Sequence, residues 1–294
     1  MSTPTPSAGV IHDIGYRHYS GERRGRRYIR RSLYADSLRG AYGLGRSARN
    51  KITPAILFAV MCLPAAVMVA ITAATNGSEL VGEYTSYVLN LQMVVLIYVA
   101  AQAPALVSRD LRFGVMSLYF SRPLERVDYV VAKYLAMASA VFVLTMAPLT
   151  IMFVGALIVG LPISDQVPDY LRAAGGAGLL SLILGGIALV IAGITPRRGL
   201  AVAAIIAVLL VLSGVQAVLQ GIAQAEGYDG AVYFSLLSPF TLVQGIQSSL
   251  LGGSSPLPEP PGVTGALAFL GVAVLLIAVS FAALQWRYRR VAAK

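Results

Sequence analysis

Six long stretches without a charged residue or histidine constrain this chain most. A helix needs roughly 20 apolar residues to cross the hydrocarbon core of a bilayer. An ionisable side chain at the centre of such a helix costs about 2.5–3.5 kcal/mol on insertion scales, so its absence from every stretch indicates membrane spans. The stretches are residues 54–74, 86–107, 134–160, 173–194, 200–224 and 263–286. The sequence therefore predicts an all-α integral membrane protein whose transmembrane domain, 54–286, has six helices.

Composition excludes the main soluble classes. Charged residues make up 12% of the 294 residues and hydrophobic residues 57%, and a soluble fold of this length cannot bury that much apolar surface. The net charge of +10 would suggest nucleic acid on a folded surface, but the basic residues cluster between the uncharged stretches. Such clustering is a signal of membrane topology, so we expect a lipid membrane around the chain and no nucleic-acid partner.

The distribution of lysine and arginine predicts the orientation. All but one of the 23 Lys and Arg residues lie in 1–53, 108–133, 195–199 and 287–294, and the remaining loops carry only Arg172. Loops rich in these residues stay in the cytoplasm. We therefore expect a multi-pass protein of the bacterial inner (plasma) membrane, with the N-terminus and the C-terminal segment both cytoplasmic.

The N-terminal region divides in two. Residues 1–27 are rich in Pro, Ser, Gly and Arg, which predicts a disordered basic cytoplasmic tail. Residues 28–53 mix apolar residues with arginine, and an amphipathic helix between Tyr28 and Asn50 would lie along the inner leaflet as an elbow before the first span. The same arginines are equally well explained as topology-determining charge.

The longest outer loop, 225–262, is predicted to contain a short external helix before the last span. Ser238 and Pro239 are typical of an N-cap and a first helical turn. The apolar segment from Phe240 to Leu251 follows and ends at a pair of glycines. About 12 residues are too few to span a bilayer, so this helix is predicted to be interfacial or re-entrant.

The sequence does not support catalysis. The two histidines, His12 and His18, lie in the N-terminal tail, so neither a Ser-His pair nor a zinc site can form within the spans. The segment at 43–50 lacks the spacing and the Lys-Ser/Thr of a phosphate-binding loop. An ion-coupled carrier would need an ionisable residue in a span. We expect no catalytic residue, metal or cofactor on this chain.

Polar side chains follow two of the spans at four-residue spacing. Residues four apart share a helix face, and unpaired amides are costly in lipid, so these stripes must face protein, water or substrate. Hydrogen bonding between helices and a substrate path both explain them. The candidate path residues are Asn90, Tyr98 and Gln102, in series with Ser86, on the second span, and Gln216, Gln220 and Gln224 on the fifth.

The inner loop 108–133 is unusually apolar for a cytoplasmic segment. A groove on a partner protein that receives a short amphipathic helix would bury its large side chains. These are Leu111, Phe113, Met116, Leu118, Tyr119 and Phe120.

This loop and the order of the predicted helices resemble the ABC-2 type permease family, the membrane subunits of ATP-binding-cassette exporters. The family pattern has an acid, a glycine a few residues on, a Leu–Ser–Pro–Arg-like turn and a lysine that opens the third helix. The resemblance covers nearly all of residues 28–290, with two departures: Asp110 where Glu is usual and Val115 where Thr is common. The matching residues are Asp110, Gly114, Leu118, Ser121, Arg122, Pro123, Arg126 and Lys133.

The resemblance implies half of an exporter. Two permeases, identical or related, would pair with two separate ABC ATPase subunits that bind ATP and Mg. Segment 109–122 would be a coupling helix seated on the ATPase, and spans two and five would line the path between the two permeases, where the polar stripes lie. The residues implied in coupling are Arg109, Asp110, Arg112, Phe113, Gly114, Leu118 and Arg122.

Two functions of different classes lead at this point, and a third, an ion-coupled carrier, would need dependence on a proton or sodium gradient. The first is the permease subunit of an ABC exporter, and the apolar spans favour a hydrophobic or amphipathic substrate. The second is a membrane scaffold that transports nothing and binds a cytoplasmic partner through loop 108–133.

Overall fold

The chain folds entirely into helices over the residues that its computed structural model describes. These residues are 25–45, 48–75, 77, 79–112, 124–195, 197–252 and 262–291. Nine α-helices and one 3-10 helix occur among them, and no strand does. They are α1 Arg26–Ala41, α2 Ala48–Thr75, α3 Tyr84–Asn90, α4 Gln92–Arg112, α5 Arg126–Val159, α6 Ile163–Ile194, α7 Arg198–Ala225, the 3-10 helix Asp229–Leu237, α8 Pro239–Leu251 and α9 Gly262–Val291.

The spans predicted from hydropathy are present, and the all-α membrane fold is confirmed. Helices α2, α5, α6, α7 and α9 are each long and apolar enough to cross a bilayer. Helices α3 and α4 pass the same test only as a pair, and they are bent by 60° where they meet, so the described residues hold five candidate spans, or six when this pair is counted as one. Of the spanning window of α6, 61% is buried, against 17% for α2 and for α7. Helix α6 is therefore central, whereas α2 and α7 leave most of their apolar surface uncovered by the rest of the described chain.

The second span differs from the continuous helix predicted over 86–107. Helix α3 ends at Asn90, Leu91 takes φ −103° and ψ 21°, and α4 begins at Gln92. An asparagine side chain competes with helical backbone bonds, which favours a helix end at this position. Because the bend separates Asn90 from Tyr98, the expectation that they share one continuous face is wrong.

Two other helices extend well beyond their predicted apolar runs. Helix α5 begins at Arg126 rather than near residue 134, because Asp128 accepts a hydrogen bond of 3.3 Å from the backbone N–H of Glu125 and so stabilises an earlier helix start. Helix α6 begins at Ile163 rather than residue 173, with Asp165 in its first turn, where the helix dipole favours an acid. Hydropathy detects only the part of a helix that lies in lipid.

The N-terminal helix is shorter than predicted. Helix α1 ends at Ala41, a turn follows, and α2 begins at Ala48, so 28–50 is not one helix. Gly43 in this turn has φ +68°, and a Cβ there would lie 2.3 Å from the backbone oxygen of Asn50. Only glycine permits both this conformation and this close approach. Most of the predicted tail, residues 1–24, lies outside the described residues.

The short helix predicted before the last span is buried within the chain rather than interfacial, while the re-entrant alternative stays a prediction. Every residue of α8 from Pro239 to Ser248 is buried, as α8 packs against α6, α9, α3 and the 3-10 helix. A helix that is buried on all sides cannot lie on the membrane surface. Ser238 stands at the N-cap position as predicted, but its side chain makes no capping bond and instead lies 3.0 Å from the Ser213 hydroxyl.

Candidate functional site

A buried ion pair joins the end of α4 to α5 at the predicted cytoplasmic end of the bundle. The Nζ atom of Lys133 lies 3.1 Å from Oδ2 of Asp110, and the two side chains are 9% and 17% exposed. Lys133 also donates a hydrogen bond of 2.9 Å to the carbonyl oxygen of Leu106. The Tyr129 hydroxyl donates to the same Asp110 oxygen at 2.8 Å. Both charges are therefore paired and hydrogen-bonded, as buried charges must be.

Helical spacing explains why these four residues meet. Leu106 and Asp110 are four apart on α4, and Tyr129 and Lys133 are four apart on α5, so each pair occupies one helix face. The lysine ammonium contacts a carbonyl in the last turns of α4, where the helix dipole favours a cation. The site prediction named Asp110 but missed Lys133 and Tyr129 as its partners. Their four-residue spacing was visible in the sequence, but the early start of α5 was not predicted.

The same end of the bundle is connected to α6 and α9. The Tyr129 ring packs edge-on against the ring of Tyr288 in α9, with centroids 5.1 Å apart. The Ser108 hydroxyl donates to the carbonyl oxygen of Ala192 at 3.3 Å, and Arg287 Nε donates to that of Gly193 at 3.0 Å. The last carbonyl groups of α6 are thus bonded by side chains of α4 and α9, which satisfies groups that a helix end leaves unpaired.

A second ionic cluster fixes α1 to the first turn of α5. The Arg26 guanidinium donates hydrogen bonds to the carboxylates of both Asp128 and Glu125, and Arg30 lies 3.7 Å from Asp128. These bonds raise the pKa of Arg26 above its ordinary value, and the bond to Asp128 contributes more than the bond to Glu125. Farther along α1, the Tyr34 hydroxyl donates a hydrogen bond of 2.9 Å to the Ser139 hydroxyl. The elbow helix therefore packs along α5.

The two ionic clusters lie on either side of the predicted coupling segment. Asp110 is the one coupling residue whose side chain lies in the described part of the chain. Arg109 and Arg112 belong to α4, but their side chains are outside it. Outside the described residues altogether are Phe113, Gly114, Leu118 and Arg122.

The polar stripe on α7 is covered by other parts of the chain. Gln216 and Gln220 are 5% and 4% exposed. The Gln216 amide donates to Oε1 of Gln220, and the Ser235 hydroxyl of the 3-10 helix donates to the same oxygen at 3.1 Å. Nε2 of Gln220 is buried without a hydrogen-bond partner in the described part of the chain. Gln224, the third residue of this stripe, is exposed.

The stripe on the second span is divided by its bend. Asn90 is exposed at the end of α3, while Tyr98 and Gln102 are buried in α4. The Tyr98 ring lies 6.1 Å from that of Tyr42, in the turn between α1 and α2. The structure therefore does not bring Asn90 together with the other two residues.

The opposite end of the bundle carries an acidic cleft of about 320 Å³, between the 79–85 segment and the start of α6. Four carboxylates line it: Glu79, Glu83, Asp165 and Asp169. No group of three or more His, Cys, Asp or Glu side chains in the described ranges could hold a metal ion.

Comparison with known proteins gives one positive result. The family model described as ABC-2 family transporter protein matches residues 56–291. This range runs from the first span to the end of α9. No curated protein matches the chain.

Proposed function

This chain belongs to the ABC-2 family of transporter proteins, and from that membership we propose that it is the permease subunit of an ABC exporter whose energy comes from a separate ATPase subunit. The family match covers the first predicted span from residue 56 onward and the other five completely. It supports a transporter over the scaffold, because a scaffold explains loop 108–133 but not the whole six-span arrangement.

The arrangement of Asp110 and Lys133 carries the coupling part of the proposal. Segment 113–123 connects α4 to α5, and each end of it adjoins an ionic cluster: Asp110–Lys133 before it, and Arg26 with Asp128 after it. These contacts join the helix ends on either side of the segment to each other and to α1, so in the proposed complex a displacement of those ends acts on all three helices. In the proposed complex the ATPase contacts this segment, and ATP and Mg bind to the ATPase.

Direction, substrate and location belong to the same proposal. The clustering of Lys and Arg supports a bacterial inner-membrane protein with both termini in the cytoplasm. Apolar span surfaces support a hydrophobic or amphipathic substrate, exported from the cytoplasm or from the inner leaflet. A second permease, a copy of this chain or a related one, would complete the path.

The role of the polar stripes is a separate question within this proposal. Gln216 and Gln220 are covered by the 3-10 helix through Ser235, so they reach a path between two permeases only if that helix moves. Their burial favours a packing role. For Asn90, Tyr98, Gln102 and Gln224 a path role stays a prediction.

A pull-down from the native membrane tests the proposed function. Tagged protein would be solubilised in detergent, the co-purifying chains identified, and ATP hydrolysis in the eluate measured. We expect a stoichiometric ATPase subunit whose yield falls when Asp110→Lys is introduced. Asp169→Lys is the matched control, since Asp169 forms an ion pair of 2.7 Å with Arg172 at the opposite end of the bundle. If the chain purified alone, or with partners that bind no nucleotide, the proposed transporter function would be contradicted and the scaffold function would be favoured.

A further inference from the structure

A cleft of about 390 Å³ lies between the first turn of α5 and the end of α9. It is separate from the Asp110–Lys133 site, although Glu125 in its lining also belongs to the ionic cluster with Arg26. Its lining residues are Leu124, Glu125, Arg126 and Val127 on one side and Gln285 and Arg289 on the other.

The cleft is lined by two positive charges that have no ion-pair partner among the described residues. Arg126 and Arg289 line it from opposite sides, and neither forms an ion pair with any described residue. The one carboxylate in the lining, that of Glu125, is already bonded to Arg26 outside the cleft. Two guanidinium groups that converge on one space are suited to a phosphate, which they can bind with two parallel hydrogen bonds each.

A third donor is unsatisfied beside the arginines. Gln285 lines the cleft, and its Nε2 is buried without a hydrogen-bond partner in the part of the chain described. A buried donor left without an acceptor is costly, so a native protein usually supplies one. Rotation of the Gln285 amide toward the cleft, which this residue lines, would bring the donor to a phosphate oxygen.

The neighbouring arginines of α9 contact other groups of the chain, and Arg289 differs from them in this respect. Arg287 donates to the Gly193 carbonyl oxygen at 3.0 Å. The Arg290 guanidinium stacks over the Trp286 ring at 3.8 Å from its centroid. The Trp286 side chain is exposed, as is typical of tryptophan at the headgroup level of a bilayer. The cleft therefore lies at headgroup depth, with the exposed apolar Val127 in its wall.

We propose that this cleft binds the phosphate of an anionic phospholipid, held by Arg126, Arg289 and the Gln285 amide. Its position at headgroup depth favours a lipid over a free anion, because the acyl chains can lie along the apolar surfaces of α5 and α9. That the lipid comes from the inner leaflet rests on the orientation proposed above. The site itself does not depend on export, so its test needs neither the ATPase nor a transport substrate.

The test is lipid binding by the purified full chain. Native mass spectrometry would count bound phosphatidylglycerol against phosphatidylcholine, and thermal unfolding in nanodiscs of each lipid would report stabilisation. Arg126→Gln and Arg289→Gln should each weaken phosphatidylglycerol binding about fivefold, from the contribution of one arginine near an anionic surface. Gln285→Leu should weaken it as well. Arg290→Gln is the matched control, since it removes the same charge from the same helix outside the cleft.

Each outcome decides the proposal. Loss of phosphatidylglycerol preference in the two arginine variants and its retention in Arg290→Gln would support the site. Equal losses in Arg290→Gln would show unspecific attraction between charges and overturn it. Inorganic phosphate that binds as tightly as the lipid, or displaces it, would make the ligand a free anion and also overturn it. Should Arg126→Gln unfold, Arg289→Gln and Gln285→Leu on α9 still test the site.

Discussion

The ammonium nitrogen of Lys133 lies 3.1 Å from the Asp110 carboxylate, and this pair joins the last turn of α4 to the second turn of α5. Both side chains are mostly buried, so the attraction between them is weakly screened by salt. Because Lys133 also bonds the Leu106 carbonyl, a change in the position of Asp110 moves α4 and α5 together. This is the physical basis of the proposed coupling at the predicted inner end of the bundle.

Removing the lysine should destabilise the protein. Lys133→Met leaves the Asp110 carboxylate with only the Tyr129 hydroxyl and should lower the free energy of unfolding by about 3–5 kcal/mol, the cost of removing one partner of a buried ion pair. Thermal unfolding in detergent measures this change. The double variant Asp110→Asn with Lys133→Met removes the unpaired charge and should recover part of the loss. A double variant less stable than Lys133→Met would show that the pair is not the source of the effect.

The bond between α1 and α5 should affect coupling more than folding. Arg26→Gln removes both carboxylate contacts at the end of the coupling segment, and we expect ATP hydrolysis by the assembled complex to fall roughly two- to thirtyfold, the range of mutations that alter coupling between sites. Arg27→Gln is the control, since this exposed neighbour has no carboxylate partner in the described structure. Equal effects of the two variants would indicate a contribution of net charge alone.

Close packing of α8 should make one glycine sensitive to substitution. A Cβ at Gly245 would lie 2.4 Å from the ring of Phe269, which is fully buried in α9. Gly245→Ala should therefore lower stability by about 1–3 kcal/mol, the usual cost of overpacking. Gly271→Ala, where nothing lies within 4 Å, should be neutral or slightly stabilising because alanine favours the helix. Thermal unfolding of the two variants compares them, and similar midpoints would contradict this packing.

The polar stripe on α7 allows a test of whether its glutamines pack helices together or line a substrate path. Gln220→Leu removes the acceptor for both Gln216 and Ser235, and we expect stability to fall by about 1 kcal/mol, as for one hydrogen bond between membrane helices. Gln224→Leu, at an exposed position, should leave stability unchanged. Thermal unfolding and export would be measured on both. If Gln220→Leu abolished export without any change in stability, a role of Gln220 in the substrate path would be favoured over a packing role.

The sequence was most informative where lipid selects residue types. Uncharged runs located the spans because a charged side chain in hydrocarbon is costly, and Ser238-Pro239 marked the start of α8. The bend at Leu91 and the early start of α5 were not predicted, since both are decided by local capping and packing rather than by hydropathy. The partnership of Asp110 with Lys133 depended on that early start. The 3-10 helix covers Gln216 through a tertiary contact, and the periodicity of residues along α7 carries no information about such a contact.

The most direct test of coupling through Asp110 and Lys133 is ATP hydrolysis and export by the complex reconstituted in liposomes, measured per bound ATPase subunit. Three forms would be compared: wild type, Asp110→Lys, and the charge exchange Asp110→Lys with Lys133→Asp. We predict that Asp110→Lys loses ATP-driven export, because two ammonium groups then repel at the end of α4, and that the exchange restores part of it. Wild-type export by Asp110→Lys would contradict coupling through this ion pair.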